Sequence, residues 1–236
     1  ITQHIGATAV PLATVSDMAG DLVDPADFDL PGLLFIDTPG HHSFTTLRSR
    51  GGALADIAVV VVDVNDGFQP QTIEALEILE RTGTPFVVAA NKVDTTPGWN
   101  PREGSPIQAS YEAQSEAARG RLDGNVYEII GDLSDKGFSA DLYWRVQNFG
   151  KNVGVVPISA ITSEGVPDLL AVLMGLSQRY MKAQMPVDTA GPGAHGPVVA
   201  GGVGGRGGPP LAVGLDARRR ARCGGAHGPR AVLVRQ

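Results

Sequence analysis

Three short polar clusters each follow directly on an apolar run. They are Asp37-Thr38-Pro39-Gly40-His41 after Leu33–Ile36, Asn91-Lys92-Val93-Asp94 after Pro85–Ala90, and Ser159-Ala160-Ile161-Thr162 after Val153–Ile158. The second is the most specific chemically. A guanine base offers a ring N–H and an exocyclic amine side by side, and one carboxylate, that of Asp94, accepts from both. Adenine has no such donor pair on that edge, so the same carboxylate would be left unpaired there. Asn91 is suited to tie loops together and contact the base, and the Lys92 stem to pack over the ring plane. Ser159 and Ala160 would complete the base pocket, with backbone N–H groups facing the guanine carbonyl. The first cluster suits phosphates. Asp37 at a strand end fits a water-mediated hold on Mg²⁺, an ion that keeps much of its hydration. Gly40 leaves its N–H open to a terminal phosphate. Taken singly, each cluster reads as an ordinary strand-to-loop turn, and Asp37 as a cap. Their order, at intervals of 54 and then 68 residues, and their shared place after apolar runs make coincidence negligible.

The elements that must carry these clusters alternate in type. Leu33–Ile36, Ile57–Asp63, Pro85–Ala90 and Val153–Ile158 read as buried strands, rich in β-branched residues. Gln71–Thr82 spaces Ile73, Leu76, Ile78 and Leu79 at helical intervals, and further helical patterns occupy 121–136, 139–148 and 165–184. Ala7–Val15 reads as an edge strand interrupted by Pro11. Strands alternating with helices predict a three-layer α/β fold with a mainly parallel sheet. In such sheets ligands bind beyond the carboxyl ends of the strands, where all three clusters lie.

Composition excludes several classes. The chain has 236 residues, 42% apolar and 19% charged, with 25 acids against 19 bases, and its mean hydropathy is +0.01. The longest apolar run, Ile57–Val62, falls far short of the roughly 20 residues of a membrane span. No membrane role and a cytoplasmic location are expected. One cysteine, Cys223, rules out a disulfide framework and a cysteine-based zinc site. Lysines are few: Lys92, Lys136, Lys151 and Lys182. An acidic, lysine-poor chain fits a salt-loving host, where dense carboxylates keep protein in solution; an ordinary acidic protein is the blander reading.

The character changes near Met185. Residues 187–236 hold 13 glycines and 5 prolines, with 7 bases against 2 acids. Gly201–Pro210 is unsuited to a helix or strand, so 187–236 is expected to be a tail without fixed structure. The run Arg218-Arg219-Arg220-Ala221-Arg222 reads as solvated charge rather than a nucleic-acid site. Residues 1–186 form the expected domain.

Further segments turn this pattern into a family resemblance. Ile1-Thr2-Gln3-His4-Ile5-Gly6-Ala7-Thr8, Leu47-Arg48-Ser49-Arg50-Gly51, Asp63, Pro70–Glu74 and Val156–Ala160 accompany the DTPGH and NKVD runs. Over about residues 1–188 the chain resembles the guanine-nucleotide-binding (G) domain of translational GTPases, in the branch of archaeal and eukaryotic initiation factor five-B, the counterpart of bacterial initiation factor two. The long stretch 97–150 favours the archaeal and eukaryotic branch. The resemblance implies a P-loop-NTPase-like α/β fold, GTP and GDP as ligands, Mg²⁺ as cofactor, and the large and small ribosomal subunits as partners. Initiator tRNA would be engaged through further domains. It implies that Thr2 binds Mg²⁺ and senses the γ-phosphate, and that His41 orients the attacking water. His42 is left as a surface residue, and His4 without a role. An elongation or ribosome-assembly GTPase is the alternative within the class; a binding module or inactive fragment is the alternative outside it.

The departures matter too. The 236 residues contain no G-x-x-x-x-G-K-[ST], and the one Gly-Lys pair, Gly150-Lys151, lacks the rest of the motif. The expectation is therefore a G domain lacking its first strand and phosphate loop. In the family that strand lies between those of Leu33–Ile36 and Ile57–Asp63, so two backbone edges are expected to be unpaired. The Gly-, Ala-, Arg- and Pro-rich end reads as GC-rich coding sequence out of frame, with a genuine tail as the alternative.

Overall fold

A computed structural model describes residues 6–37, 56–184 and 230–235. In chain order they form β1 (Gly6–Pro11), α1 (Leu12–Ala19), β2 (Gly32–Asp37), β3 (Ile57–Asp63), α2 (Pro70–Thr82), β4 (Phe86–Asn91), α3 (Ile107–Glu112), α4 (Glu116–Asp135), β5 (Ala140–Leu142), β6 (Val153–Pro157), α5 (Val166–Gln184) and β7 (Arg230–Arg235). The strands make one sheet in the order β1-β2-β7-β3-β4-β6-β5. Only the β1–β2 pair is antiparallel; every other pairing is parallel. The mainly parallel α/β architecture expected from the sequence is the one observed.

The two-residue repeat of a strand explains the layering. In β3, Ala58, Val60 and Val62 face one side and meet Leu76 and Leu79 of α2 and Ile129 and Leu133 of α4. Ile57 and Val59 face the other and join Val87, Ala89 and Val156 against Val15 of α1 and Leu173 and Met174 of α5. With both faces covered, most residues of β3 and β4 are buried, which is why these runs read as apolar without alternation. Burying each valine or leucine contributes about 1.5–3 kcal/mol.

Helix ends follow local chemistry. Pro70 opens α2, and Gly83 closes it in the left-handed conformation with φ 61°. Ser115 caps α4 by accepting from the Ala118 N–H at 3.2 Å.

Three local expectations need correction. The strand over Ala7–Val15 ends at Pro11, and α1 begins at Leu12, with Val15 and Ala19 buried one turn apart. The helical pattern over 139–148 is instead β5 followed by a turn. Leu142 and Val146 have helical spacing and are both buried. The segment nevertheless lies along the open edge of β6, where Val153 N–H donates to Ser139 O at 2.8 Å and Tyr143 N–H to Val155 O at 3.0 Å. Sheet-edge pairing overrides the local pattern.

The third correction concerns the gap between β2 and β3. It is filled by β7, which pairs Leu33–Asp37 with Arg230–Val234 on one side and Ile57–Val60 with Val232–Arg235 on the other. Both edges expected to stand open are thus paired along this stretch. Within 187–236, six residues are a strand where no regular structure was expected; the preceding 185–229 lie outside the described residues. The apolar run Ala231-Val232-Leu233-Val234 suits a central strand, and a glycine-rich average conceals it. Val232 pairs with both Phe35 and Ile57. Val232→Pro removes a ladder N–H and should cost about 3 kcal/mol or more, seen as a lower urea midpoint. An unchanged midpoint would mean that β7 contributes nothing to the folded sheet in solution.

Candidate functional site

The parallel register brings strand ends to one level. Asp63, the last residue of β3, pairs with Asn91, the last of β4, and Ala90 pairs with Pro157, the last of β6. The loops that follow are stitched together by backbone bonds. Val64 N–H donates to Asn91 O at 2.8 Å, Ile158 N–H to Ala90 O at 2.8 Å, and Val93 N–H to Ile158 O at 3.1 Å. Side chains add to this, since Asn91 Oδ1 accepts from the Ala160 N–H at 2.9 Å. Asn91 therefore joins the two loops, the tying role its position suggested.

Beyond Asn91 the chain turns sharply. Lys92 takes a left-handed φ of 70°, and Val93–Thr95 form one 3₁₀ turn. Val93 is buried beneath this turn while Asp94 remains partly open to solvent. Ser159 is fully buried, its Oγ accepting from the Thr162 N–H at 3.2 Å and its N–H donating to Glu164 O at 2.8 Å. Ala160 and Ile161 are exposed beside it, Ile161 at 83%. Asn91, Lys92, Asp94, Ser159 and Ala160 thus come together on one sheet edge.

The sequence did not assign Lys92 its charge partner. Its Nζ lies 2.5 Å from Asp63 Oδ2. Burial opposes the charged form of Asp63, but the Lys92 ammonium and the backbone N–H groups of Asn65 and Asp66 outweigh it and hold the carboxyl below its ordinary value. Hydrogen bonding and attraction to Asp63 raise the Lys92 ammonium. Asp63 Oδ1 also accepts from Asn65 N–H at 2.9 Å, and Asn65 Nδ2 donates to Thr95 Oγ1 at 2.8 Å. The lysine stem is therefore aimed by an acid on the neighbouring strand. That Asp63 ends an apolar run at the carboxyl edge, as Asp37 does, was the available signal.

The pair's pH dependence follows from these directions. Lowered Asp63 contributes stability that is present above 3.8 and lost as pH falls through its folded value. Raised Lys92 contributes stability that is present below 10.5 and lost as pH rises through its folded value. Carboxyl titration by NMR should place Asp63 below 3.8 in the parent and higher in Lys92→Met. An unmoved Asp63 would show that the contact is absent in solution.

Asp37 ends β2 at the same carboxyl edge and pairs by backbone with Gly6 and Val234. Thr2, Gly40 and His41 lie outside the described residues. Gly150 and Lys151 precede the first residue of β6, at the opposite edge of the sheet, so that Gly-Lys pair is remote from the base loops. Among the described residues, no cluster of three or more His, Cys, Asp or Glu could hold a metal, and no helix is long and apolar enough to cross a membrane. Two buried carboxylates near the Ser159 loop, Glu164 and Asp168, were not anticipated.

A doubly covered parallel sheet with its polar loops gathered beyond the carboxyl ends of β3, β4 and β6 defines a nucleotide-binding α/β domain. The family model described as the elongation factor Tu GTP binding domain matches residues 1–179, and the chain belongs to that family of GTPases. It is 86% identical over 194 residues to a protein named as a translation initiation factor IF-2 from Haloquadratum walsbyi, spanning 82% of this chain and 31% of that protein. A Halobacterium salinarum protein of the same name is 74% identical over 194 residues, spanning 82% of this chain and 32% of its own. Among solved structures, the GDP-bound aIF5B from Aeropyrum pernix superposes with a TM-score of 0.72 at 47% identity, over 79% of this chain and 31% of that one. The chain spans about a third of the length of these relatives.

Proposed function

We propose that these residues are the guanine-nucleotide-binding part of a translation initiation factor, a cytoplasmic GTPase that acts on the ribosome to join its large and small subunits around initiator tRNA. The observation that carries the reading is the joining of the NKVD and SAIT loops, with Ala160 N–H held on Asn91 Oδ1. It presents Asp94 and the loop backbone from one edge, as recognition of a guanine ring requires. The names and structure of the relatives support the initiation branch over an elongation or ribosome-assembly factor.

In this reading Asp94 accepts from the guanine donor pair, Asn91 and Lys92 frame the ring, and Ser159 and Ala160 lie on its carbonyl side, where the Ala160 N–H would pass from Asn91 Oδ1 to the bound base. Asp37 and Gly40 serve the phosphate end, and His41 positions the attacking water. Mg²⁺ would be held by Thr2 directly and by Asp37 through water. The fit rests on a hard oxygen donor, Asp37, ending β2 at the ligand edge. When bound, the ion offsets phosphate charge. The ribosome and initiator tRNA are partners of the longer protein.

The test uses a version that gains the first strand and phosphate-loop segment of the Haloquadratum walsbyi relative at its N-terminus and stops at residue 188, because that strand and β7 would compete for the slot between β2 and β3. Calorimetry should show tight GDP binding and no ATP binding; equal affinity for both would overturn the reading. In the same version, His41→Ala should reduce ribosome-stimulated GTP hydrolysis about 100-fold or more with GDP affinity nearly unchanged, since a water-positioning group acts in the transition state. Equal loss of binding and turnover would make His41 a structural residue of its loop.

A further inference from the structure

The carboxylate of Glu164 is fully buried, a costly position for a charge unless hydrogen bonds satisfy it. Its donors come from the stretch 97–150. Trp99 Nε1–H donates to both carboxylate oxygens, at 3.1 and 3.3 Å, and the Arg102 backbone N–H donates to Oε1 at 3.3 Å. The main chain of the same residue closes the base loop, Glu164 O accepting from Ser159 N–H at 2.8 Å. One residue is thus hydrogen-bonded to the Ser159–Thr162 loop through its backbone and to the Trp99–Arg102 segment through its side chain.

Further bonds cross the same seam. Gly104 N–H donates to Thr162 O at 2.9 Å, and Gly165 N–H to Ser105 O at 3.0 Å. The buried Asp168 accepts from Ile107 N–H at 2.8 Å and from the Tyr143 hydroxyl. Gly165 has a φ of +72°, and a Cβ there would stand 2.2 Å from Pro157 O, so neither its conformation nor the space around it admits a side chain. Apolar packing alone could bury Trp99. A carboxylate beneath the indole N–H adds direction, because hydrogen bonds weaken steeply off axis.

We infer that Glu164 is a positioning residue for base recognition: through Trp99 and Arg102 it braces the Ser159–Thr162 loop, so that the segment 99–107 sets where the Ala160 N–H, held on Asn91 Oδ1 without nucleotide, would meet the guanine carbonyl. This rests on the guanine reading above, and the experiment separates the two. Hydrogen exchange on the 236-residue chain, with no nucleotide, tests the brace. In Glu164→Gln an amide N–H₂ replaces one acceptor and faces a donor, so exchange at Gly104, Ala160 and Thr162 should quicken about tenfold while β3 and β4 amides keep their rates. Trp99→Phe keeps an aromatic ring but removes the indole donor together with the second ring, so it should quicken exchange at the same amides, and it serves if Glu164→Gln does not fold.

Nucleotide selectivity then reads the positioning. In the N-terminally extended version, 6-thio-GDP alters only the carbonyl and IDP lacks only the exocyclic amine that Asp94 accepts. Glu164→Gln should lower the preference for GDP over 6-thio-GDP by about 5- to 10-fold and leave the preference over IDP unchanged. Unchanged exchange at Ala160 and Thr162, or both preferences falling together with faster exchange throughout the core, would overturn the proposal. A parent that does not prefer GDP over IDP would instead overturn the role of Asp94, with the exchange result still deciding the brace.

Discussion

Asp94→Asn in the N-terminally extended version should weaken GDP binding by about 2–4 kcal/mol and confer binding of xanthosine diphosphate. The carboxylate accepts two hydrogen bonds from adjacent donors, so the contact is both charge-assisted and bidentate. An amide keeps one acceptor and places a donor where guanine also has a donor, leaving that pair opposed. Xanthine carries a carbonyl in place of the exocyclic amine, and the amide N–H₂ suits it. The exchange is informative because, among the described residues, Asp94 makes no side-chain hydrogen bond or ion pair that holds the loop. The turn is fixed by Val93 N–H on Ile158 O and by Thr95 N–H on Lys92 O, so the substitution should spare the fold. Competition calorimetry with GDP and xanthosine diphosphate measures both arms. A variant that binds GDP as tightly as the parent would remove Asp94 from base recognition.

A polypeptide of these 236 residues should bind GTP at best in the millimolar range and show no magnesium-dependent turnover. In the family, a phosphate loop surrounds the β-phosphate with backbone N–H groups and a lysine, and its Ser or Thr holds the ion. The 236 residues contain no such motif. Losing several charge-assisted bonds at about 1.5–3 kcal/mol each moves a nanomolar site by roughly six orders of magnitude. The strand slot that would lead into that loop is held by β7. The Gly150–Lys151 pair cannot substitute within this fold, since β6 separates it from the base loops by about 16 Å at the usual strand rise. Calorimetry and a phosphate-release assay on the 236-residue chain check this. Micromolar binding would show that other residues cradle the phosphates.

Local signals determined much of this protein. Buried strands with apolar neighbours on both faces need no tertiary knowledge to be read, because the run Ile57–Val62 cannot be left in water. Placement of the NKVD and SAIT loops on one edge also follows, since parallel strands all present their carboxyl ends to the same side. The guanine-facing role proposed for Asp94 rests on its type and position alone. What tertiary structure decided is every feature that depends on a distant partner. The segment 139–148 carries helix-like spacing and becomes a strand because β6 offers an open edge. Arg230–Arg235 lies in a glycine-rich stretch and becomes a central strand because β2 and β3 together offer two rows of unpaired backbone groups. Lys92 and Asp63 are 29 residues apart in sequence and meet because the register aligns Asp63 with Asn91. Glu164 is buried with its carboxylate hydrogen-bonded to Trp99 and Arg102, more than 60 residues earlier. Sequence reports what a residue can do with its neighbours in the chain, and the free energy of these contacts belongs to pairs that only folding brings together.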